Sequence, residues 1–387
     1  MITQLKLPIP PPPPPPPPPD KITVTTSFDY RGKAFLGIDH IEFAGFDFSR
    51  ASFSSTQFGP GLISDSVAIT GDNFRNFVDV HLSNGDTNFS AAGWSFSNFV
   101  PFNPSQNDEV NIFGSAASDT ITGSIMADGL IGNDGDDVLS GLDGRDQLIG
   151  GNGTDTLIGG NGDDIYRLED VHQSGPLASD LAYDTVIEGA DGGIDIVGIH
   201  NISTLQRYDL PENVENGSIV GTGTFVLAGN ALINKLDGNN DANTLIGRQG
   251  ADTLNGLGGD DTLGGGRGGD LIDGGLGNDQ VSGGRGTDSI GGNAGNDTLT
   301  GDLGPDTFFF ASGSGTDIIT DFKDTGGAAD DLIDVSRYNF ADVDEIGRSA
   351  KGNDLVLDFG SGNTLVIVDY LENHSASAIR DDMLIFV

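Results

Sequence analysis

Nothing constrains this chain more than a nine-residue period that begins at Gly114. Six consecutive units run to Arg167, and after an interruption at 168–228 nine more run from Gly229 to Phe309. Position one is Gly in all fifteen units. Position six is Asp in thirteen and Asn in the other two, Asn234 and Asn243. Position eight is always apolar or aromatic, from Ile121, Leu130, Leu139, Leu148, Leu157 and Tyr166 in the first array to Leu299 and Phe308 at the end of the second. Each unit divides into a six-residue turn and a three-residue strand. Glycine at positions one, two and four allows positive φ and close backbone approach. The strand is too short to stand alone, and its single inward side chain needs partners from neighbouring units. That is the logic of a solenoid: one unit buries nothing, but a stack does. The expected fold class is all-β, and the regular apolar position argues against a disordered acidic linker.

The turns carry the chemistry. The chain holds 58 acidic residues against 18 Lys+Arg, a formal net charge of −40, yet only eight of the acids are Glu, which leaves 50 Asp. A chain acidic merely for solubility would use Glu freely; Asp tolerates turns and is a good ligand for hard cations. Stacked Asp rows on successive turns repel one another, and a divalent cation between turns reverses that sign. Ca²⁺ accepts six to eight oxygens from carboxylates and backbone carbonyls in flexible geometry, whereas Mg²⁺ demands a tighter octahedron and keeps its waters. The absence of cysteine excludes thiolate sites and disulfides. The charge argues against nucleic acid or an anionic membrane as a partner, and no apolar run approaches a membrane span. An EF-hand does not fit, because no Glu occurs at 110–168 or 216–344 to close the loop.

The pattern G-G-x-G-x-D-x-apolar-x, nearly letter-perfect at 150–158, 265–273, 274–282 and 283–291, resembles the RTX (repeats-in-toxin) family of calcium-binding nonapeptides. The resemblance implies a parallel β-roll in which alternate units lie on opposite sides, two units make one coil, and Ca²⁺ sits between same-side turns. It implies ligand roles for the position-six carboxylates: Asp137, Asp146, Asp155 and Asp164 in the first array, and Asp252, Asp261, Asp270, Asp279, Asp288, Asp297 and Asp306 in the second. Carbonyls near positions two and four complete the sites. The position-four residues are Gly135, Gly144, Gly153, Gly162, Gly250, Gly259, Gly268, Gly277, Gly286, Gly295 and Gly304. The units at 114, 123, 229 and 238 depart from the pattern, so weak or absent sites and a capping role are expected there. Same-side neighbours among the well-formed units number two pairs and five, so about seven interior ions are expected.

The rest of the chain divides by composition. Pro10–Pro19 is an unbroken proline run, a stiff polyproline II spacer within an N-terminal segment 1–20. Residues 21–113 hold 14 of the 22 Phe and the single Trp94, and read as an aromatic-rich β domain. Residues 168–228 read as a β module between the arrays (114–167 and 229–309). Residues 310–387 read as a β-rich cap with a short helical turn at 375–382. Its "DDMLIFV" end is similar to uncleaved signals for the type I secretion apparatus. The N-terminus lacks the apolar core of a cleaved secretory signal.

No catalytic motif emerges. His40, His81, His172, His200 and His374 form no H-E-x-x-H, and no G-x-S-x-G elbow is present. The acid pairs Asp39/Glu42 and Asp108/Glu109 read as turn residues. The expectation is a secreted, extracellular, non-enzymatic calcium-binding protein. The alternatives are an adhesin or matrix protein whose 21–113 region binds a cell surface or polysaccharide, and a small polysaccharide-active enzyme.

Overall fold

The computed structural model describes residues 21–387 apart from 37, 45–48, 60–61, 73, 84, 100–107, 170–183, 191, 201–206, 326–329, 339, 341–344, 371–383 and 386–387. The proline run and the segment 375–382 lie outside the described residues. The chain is all-β, a parallel β-roll. Within each array a strand pairs with the strand of the next unit but one, Leu139 beside Leu157 and Leu263 beside Val281. Two nonapeptides therefore make one coil, and alternate units build opposite faces. The unit Thr156–Asn161 shows the local logic: Leu157 points in and is fully buried, while Thr156 and Ile158 on either side are half-exposed.

One face is a single sheet of sixteen strands, and it passes through the compositional boundaries at 113/114, 167/168, 228/229 and 309/310. Its inward row is in register through fifteen of the sixteen strands: Phe53, Val80, Ile112, Leu130, Leu148, Tyr166, Val197, Gly217, Leu236, Leu254, Ile272, Ile290, Phe308, Ile333 and Leu384. The described residues of 21–113, 168–228 and 310–385 therefore contribute strands to the same stack at other spacings. Gly217 is the one gap in the row, and the Leu210 and Leu227 side chains fill it, within 3.2 Å of where a Cβ would stand.

The opposite face is discontinuous. A four-stranded sheet covers the N-terminal coils, a five-stranded sheet ends at Thr185–Ile187, and a ten-stranded sheet starts at Arg207–Asp209. All described pairings are parallel except those of the hairpin Gly347–Lys351, Asp354–Gly360 and Asn363–Ile367. The hairpin joins the end of the ten-stranded sheet through Thr316–Ile319.

Coil length explains the aromatic bias of 21–113. Phe53 pairs with Val80 and Val80 with Ile112, so these coils are longer than the paired nonapeptides of the arrays and enclose more space. Large rings fill it: Tyr30 stacks on Phe53 at 5.3 Å and Phe58 on Trp94 at 5.5 Å, with Phe89 edge-on to both Phe58 and Trp94.

Candidate metal centre

Each turn places its position-six side chain inside the coil. Asp137, Asp146, Asp155, Asp164, Asp252, Asp261, Asp270, Asp279, Asp288, Asp297 and Asp306 are all at most 2% exposed. One carboxylate oxygen of each joins a ladder. The backbone N–H of Asp137 donates to Oδ1 of Asp155 at 2.8 Å, Asp146 to Asp164 at 2.8 Å, Asp261 to Asp279 at 2.8 Å and Asp270 to Asp288 at 2.8 Å. The second oxygen, Oδ2, is buried and has no hydrogen-bond partner in any of the eleven. An orphaned buried oxygen on a charged group is costly to leave unmatched.

At Gly265 and Gly274 the neighbours of these orphans are acceptors. A Cβ on Gly274 would fall on Oδ2 of Asp279 and meet the carbonyl oxygen of Gly292 at 2.9 Å. The same holds at Gly265, where Asp270 Oδ2 and the Gly283 carbonyl converge. A carboxylate oxygen and the next coil's position-one carbonyl thus converge on each of these position-one glycines, which is why that position carries no side chain. At position four, Gly268 has φ +148°, and a Cβ there would land on the carbonyl oxygen of Gly250 one coil back. These carbonyls stack coil by coil along the sides of the roll. Buried carboxylate and carbonyl oxygens with no donor among them are the donor set a hard divalent cation takes. The residues present fit Ca²⁺, held by the position-six carboxylates with turn carbonyls.

Burial raises the proton affinity of these acids. Desolvation pushes Asp137, Asp164, Asp279 and Asp306 up to about 7 and Asp252, Asp261 and Asp270 to about 6. Asp146, Asp155, Asp288 and Asp297 are raised for the same reason. Neighbouring carboxylates in the row add to the effect at Asp137, Asp279 and Asp306.

The four departing units are sealed differently. In the units at 114 and 123, the N–H of Ser115 donates to Asp119 Oδ2 at 2.6 Å and that of Ser124 to Asp128 Oδ2 at 2.5 Å. In the units at 229 and 238 a neutral amide oxygen stands where the others carry Oδ2, and it accepts the position-two N–H, from Asn230 to Asn234 Oδ1 at 2.7 Å and from Asn239 to Asn243 Oδ1 at 2.8 Å. Asn234 Nδ2 donates to the Glu215 carbonyl at 3.0 Å, and Asn239 Nδ2 to the Gly221 and Gly223 carbonyls at 2.8 and 3.1 Å. Here protein N–H groups occupy the acceptors that face each other elsewhere.

The ladder also extends to residues that a count of nine misses. Asp164 N–H donates to Asp195 Oδ1 at 2.8 Å and Asp297 N–H to Asp317 Oδ1 at 3.1 Å, and both acceptors keep a buried, unpartnered Oδ2. Asp184 receives Asp155 N–H at 3.0 Å. Asp331 receives Asp306 N–H at 2.9 Å and is closed on its other oxygen by the N–H of Lys323. The only signal for these positions in the sequence is an Asp two residues before a buried aliphatic, at irregular spacing. Of the acid pairs weighed as catalytic, Asp108 accepts the Asn76 N–H at 2.7 Å as a coil-to-coil bond, and Glu42 pairs with Lys21 at 2.6 Å.

Comparison with known families bears directly on these turns. The RTX calcium-binding nonapeptide repeat matches in four copies, at residues 131–166, 237–272, 273–308 and 288–319. The chain carries RTX calcium-binding repeats. In the first array the match begins at the last residue of the second sealed unit, and in the second array the matches take in the sealed unit at 238 and run past Asp306 to include Asp317. No curated protein matches. Among solved structures, the extracellular lipase LipA from Serratia marcescens is similar at 18% identity over 81% of this chain, with a TM-score of 0.15. The chain spans 45% of that lipase's length, and a likeness this loose carries no argument about activity. Among the described residues, no helix is long and apolar enough to cross a membrane.

Proposed function

We propose that this RTX roll is a calcium-driven folding device for use outside the cell. The observation that supports it most is the set of buried Oδ2 atoms without partners, repeated coil after coil against turn carbonyls. Without a cation the coils hold rows of like charges at the ~4.8 Å spacing of neighbouring strands, with little apolar surface to oppose them. With Ca²⁺ present, a ligand bound only by the folded form stabilises it by mass action. About seven interior ions follow from the inter-turn arrangement; Asp195 and Asp317 offer the same unpartnered oxygen at the array ends. Low intracellular calcium would leave the arrays unfolded and exportable by a type I apparatus, and extracellular calcium would fold them. No catalytic step is assigned; the described region 21–113 is read as the start of the same stack.

The test is far-UV circular dichroism of the whole chain in EDTA and on calcium titration. The β signal is expected to collapse on chelation and return cooperatively. A spectrum indifferent to EDTA would sink the reading.

A further inference from the structure

The coil that leaves the first array does not repeat the nonapeptide turn. Its strand Ile165–Glu169 pairs with Ile196–His200, so Tyr166 lies beside Val197, well beyond the two-nonapeptide step that separates partners inside the array. The longer connection brings in a third carboxylate. Asp164, Glu188 and Asp195 each offer an oxygen within 4.8 Å of the others, and all three are buried, at 0%, 8% and 0% exposure. Asp164 Oδ2 and Asp195 Oδ2 have no hydrogen-bond partner. The three oxygens nearest a Cβ on Gly159 come from Asp164, Glu188 and the Tyr166 hydroxyl, so all converge over that glycine's α-carbon. Glu188 is held by neutral donors. Its Oε1 accepts from the Tyr166 hydroxyl, which itself accepts the Gly159 N–H at 2.7 Å, and its Oε2 accepts the Gly189 N–H at 3.0 Å. Tyr166 is the only tyrosine at position eight of a repeat, and its hydroxyl is used to aim Glu188.

We infer that Asp164, Glu188 and Asp195 form a further divalent-cation site, different in ligand set from the repeat sites. Three carboxylates meet here where a repeat turn supplies one carboxylate and carbonyls, so the local charge is higher and the class of ligand is an oxygen-seeking divalent cation such as Ca²⁺. The site ties the last coil of the first array to the first irregular coil after it. It rests on the calcium reading for the identity of the ion and shares Asp164 with the repeat row, whereas Glu188 and Asp195 stand outside the repeat pattern.

Tb³⁺, a calcium-sized probe whose emission is excited through a nearby phenol, separates this site from the others. The full chain is titrated with Tb³⁺ under tyrosine excitation, and the share of emission removed by Tyr166→Phe is assigned to this site. Glu188→Gln is expected to abolish that share at sub-saturating Tb³⁺ and to weaken one calcium roughly tenfold or more. The remaining calcium stoichiometry by equilibrium dialysis should be unchanged. Asp195→Asn should do the same, which guards against a folding defect peculiar to one variant, and dichroism in saturating calcium confirms that the coils form. Asp279→Asn should lower the calcium count without touching the Tyr166 share. Emission and calcium binding equal to the parent in both Glu188→Gln and Asp195→Asn would overturn the inference and leave the cluster as a proton-sharing group. A parent that shows Tyr166-dependent emission but no calcium response in dichroism would instead overturn the folding proposal and leave this site standing.

Discussion

At the scale of single residues, the roll divides its glycines into those that are structural necessities and those that are not. Gly268 sits at φ +148° with a carbonyl where its Cβ would go, whereas Gly264 has nothing within 4 Å and no positive φ. Gly268→Ala should destabilise the calcium-loaded roll by about 1–3 kcal/mol or more, and Gly264→Ala should stay within about 0.5 kcal/mol of the parent. Thermal unfolding in saturating calcium measures both, and equal effects would contradict the stacked-carbonyl geometry. The aspartates give a pH signature. Their folded-state proton affinity is raised, so ionisation disfavours the metal-free roll. For Asp137, Asp279 and Asp306 the penalty is absent below the ordinary carboxylate range near ~4, grows as pH rises, and is complete above the value of about 7 that they reach. In EDTA, lowering the pH from about 8 to about 5 should therefore increase the β signal. Calcium binding near pH 6 should release protons, visible as binding enthalpies that vary with the buffer. A metal-free chain that loses structure on mild acidification would contradict this sign.

At the scale of the coil, the sealed units satisfy with protein N–H groups the oxygens that the other units leave unpartnered. Asn234 and Asn243 put a neutral amide oxygen, already satisfied by a position-two N–H, where other coils hold an unpartnered carboxylate oxygen, and the Asn234 and Asn239 amide nitrogens donate to turn carbonyls. Hydrogen exchange in EDTA should find the Asn234 and Asn243 amides protected longer than those of Asp270 and Asp279, with the difference closing when calcium is added. Uniform exchange along the second array would count against it. What was legible in the sequence follows the same line. Where the nine-residue count holds, a buried position-six carboxylate could be named from spacing alone, because register and burial both repeat with every second unit. Asp195 and Asp317 escaped because connections of other lengths precede them, 31 residues from Asp164 and 20 from Asp297. Glu188 escaped because a side chain from outside the period reaches the ladder only once the coil is closed. The aromatic stretch 21–113 was legible as β but not as roll, since long coils blur the period that marks short ones.

At the scale of the whole molecule, the two faces differ in continuity. One sheet of sixteen strands runs the length of the described stack, while among the described residues the opposite face has no pairing between Thr185–Ile187 and Arg207–Asp209. Coils held on one face only should be the weakest joint. Calorimetry in moderate calcium is expected to resolve two transitions, one for each side of the joint, and a single two-state transition with matching van't Hoff enthalpy would argue otherwise. The carboxylate ladder adds a polarity to this stack. In the rungs from Asp119 onto Asp137 through to Asp306 onto Asp331, the N–H belongs to the earlier residue and the carboxylate to the later one. Asp331 is already satisfied on its free side by Lys323. That row is closed at its C-terminal end, while the row on the other side stops at Asp317 with its Oδ2 unpartnered. A coil added on the N-terminal side meets acceptors already fixed in place, whereas one added on the C-terminal side must bring its own, so the ladder favours assembly that starts at the C-terminal cap and runs backwards along the chain.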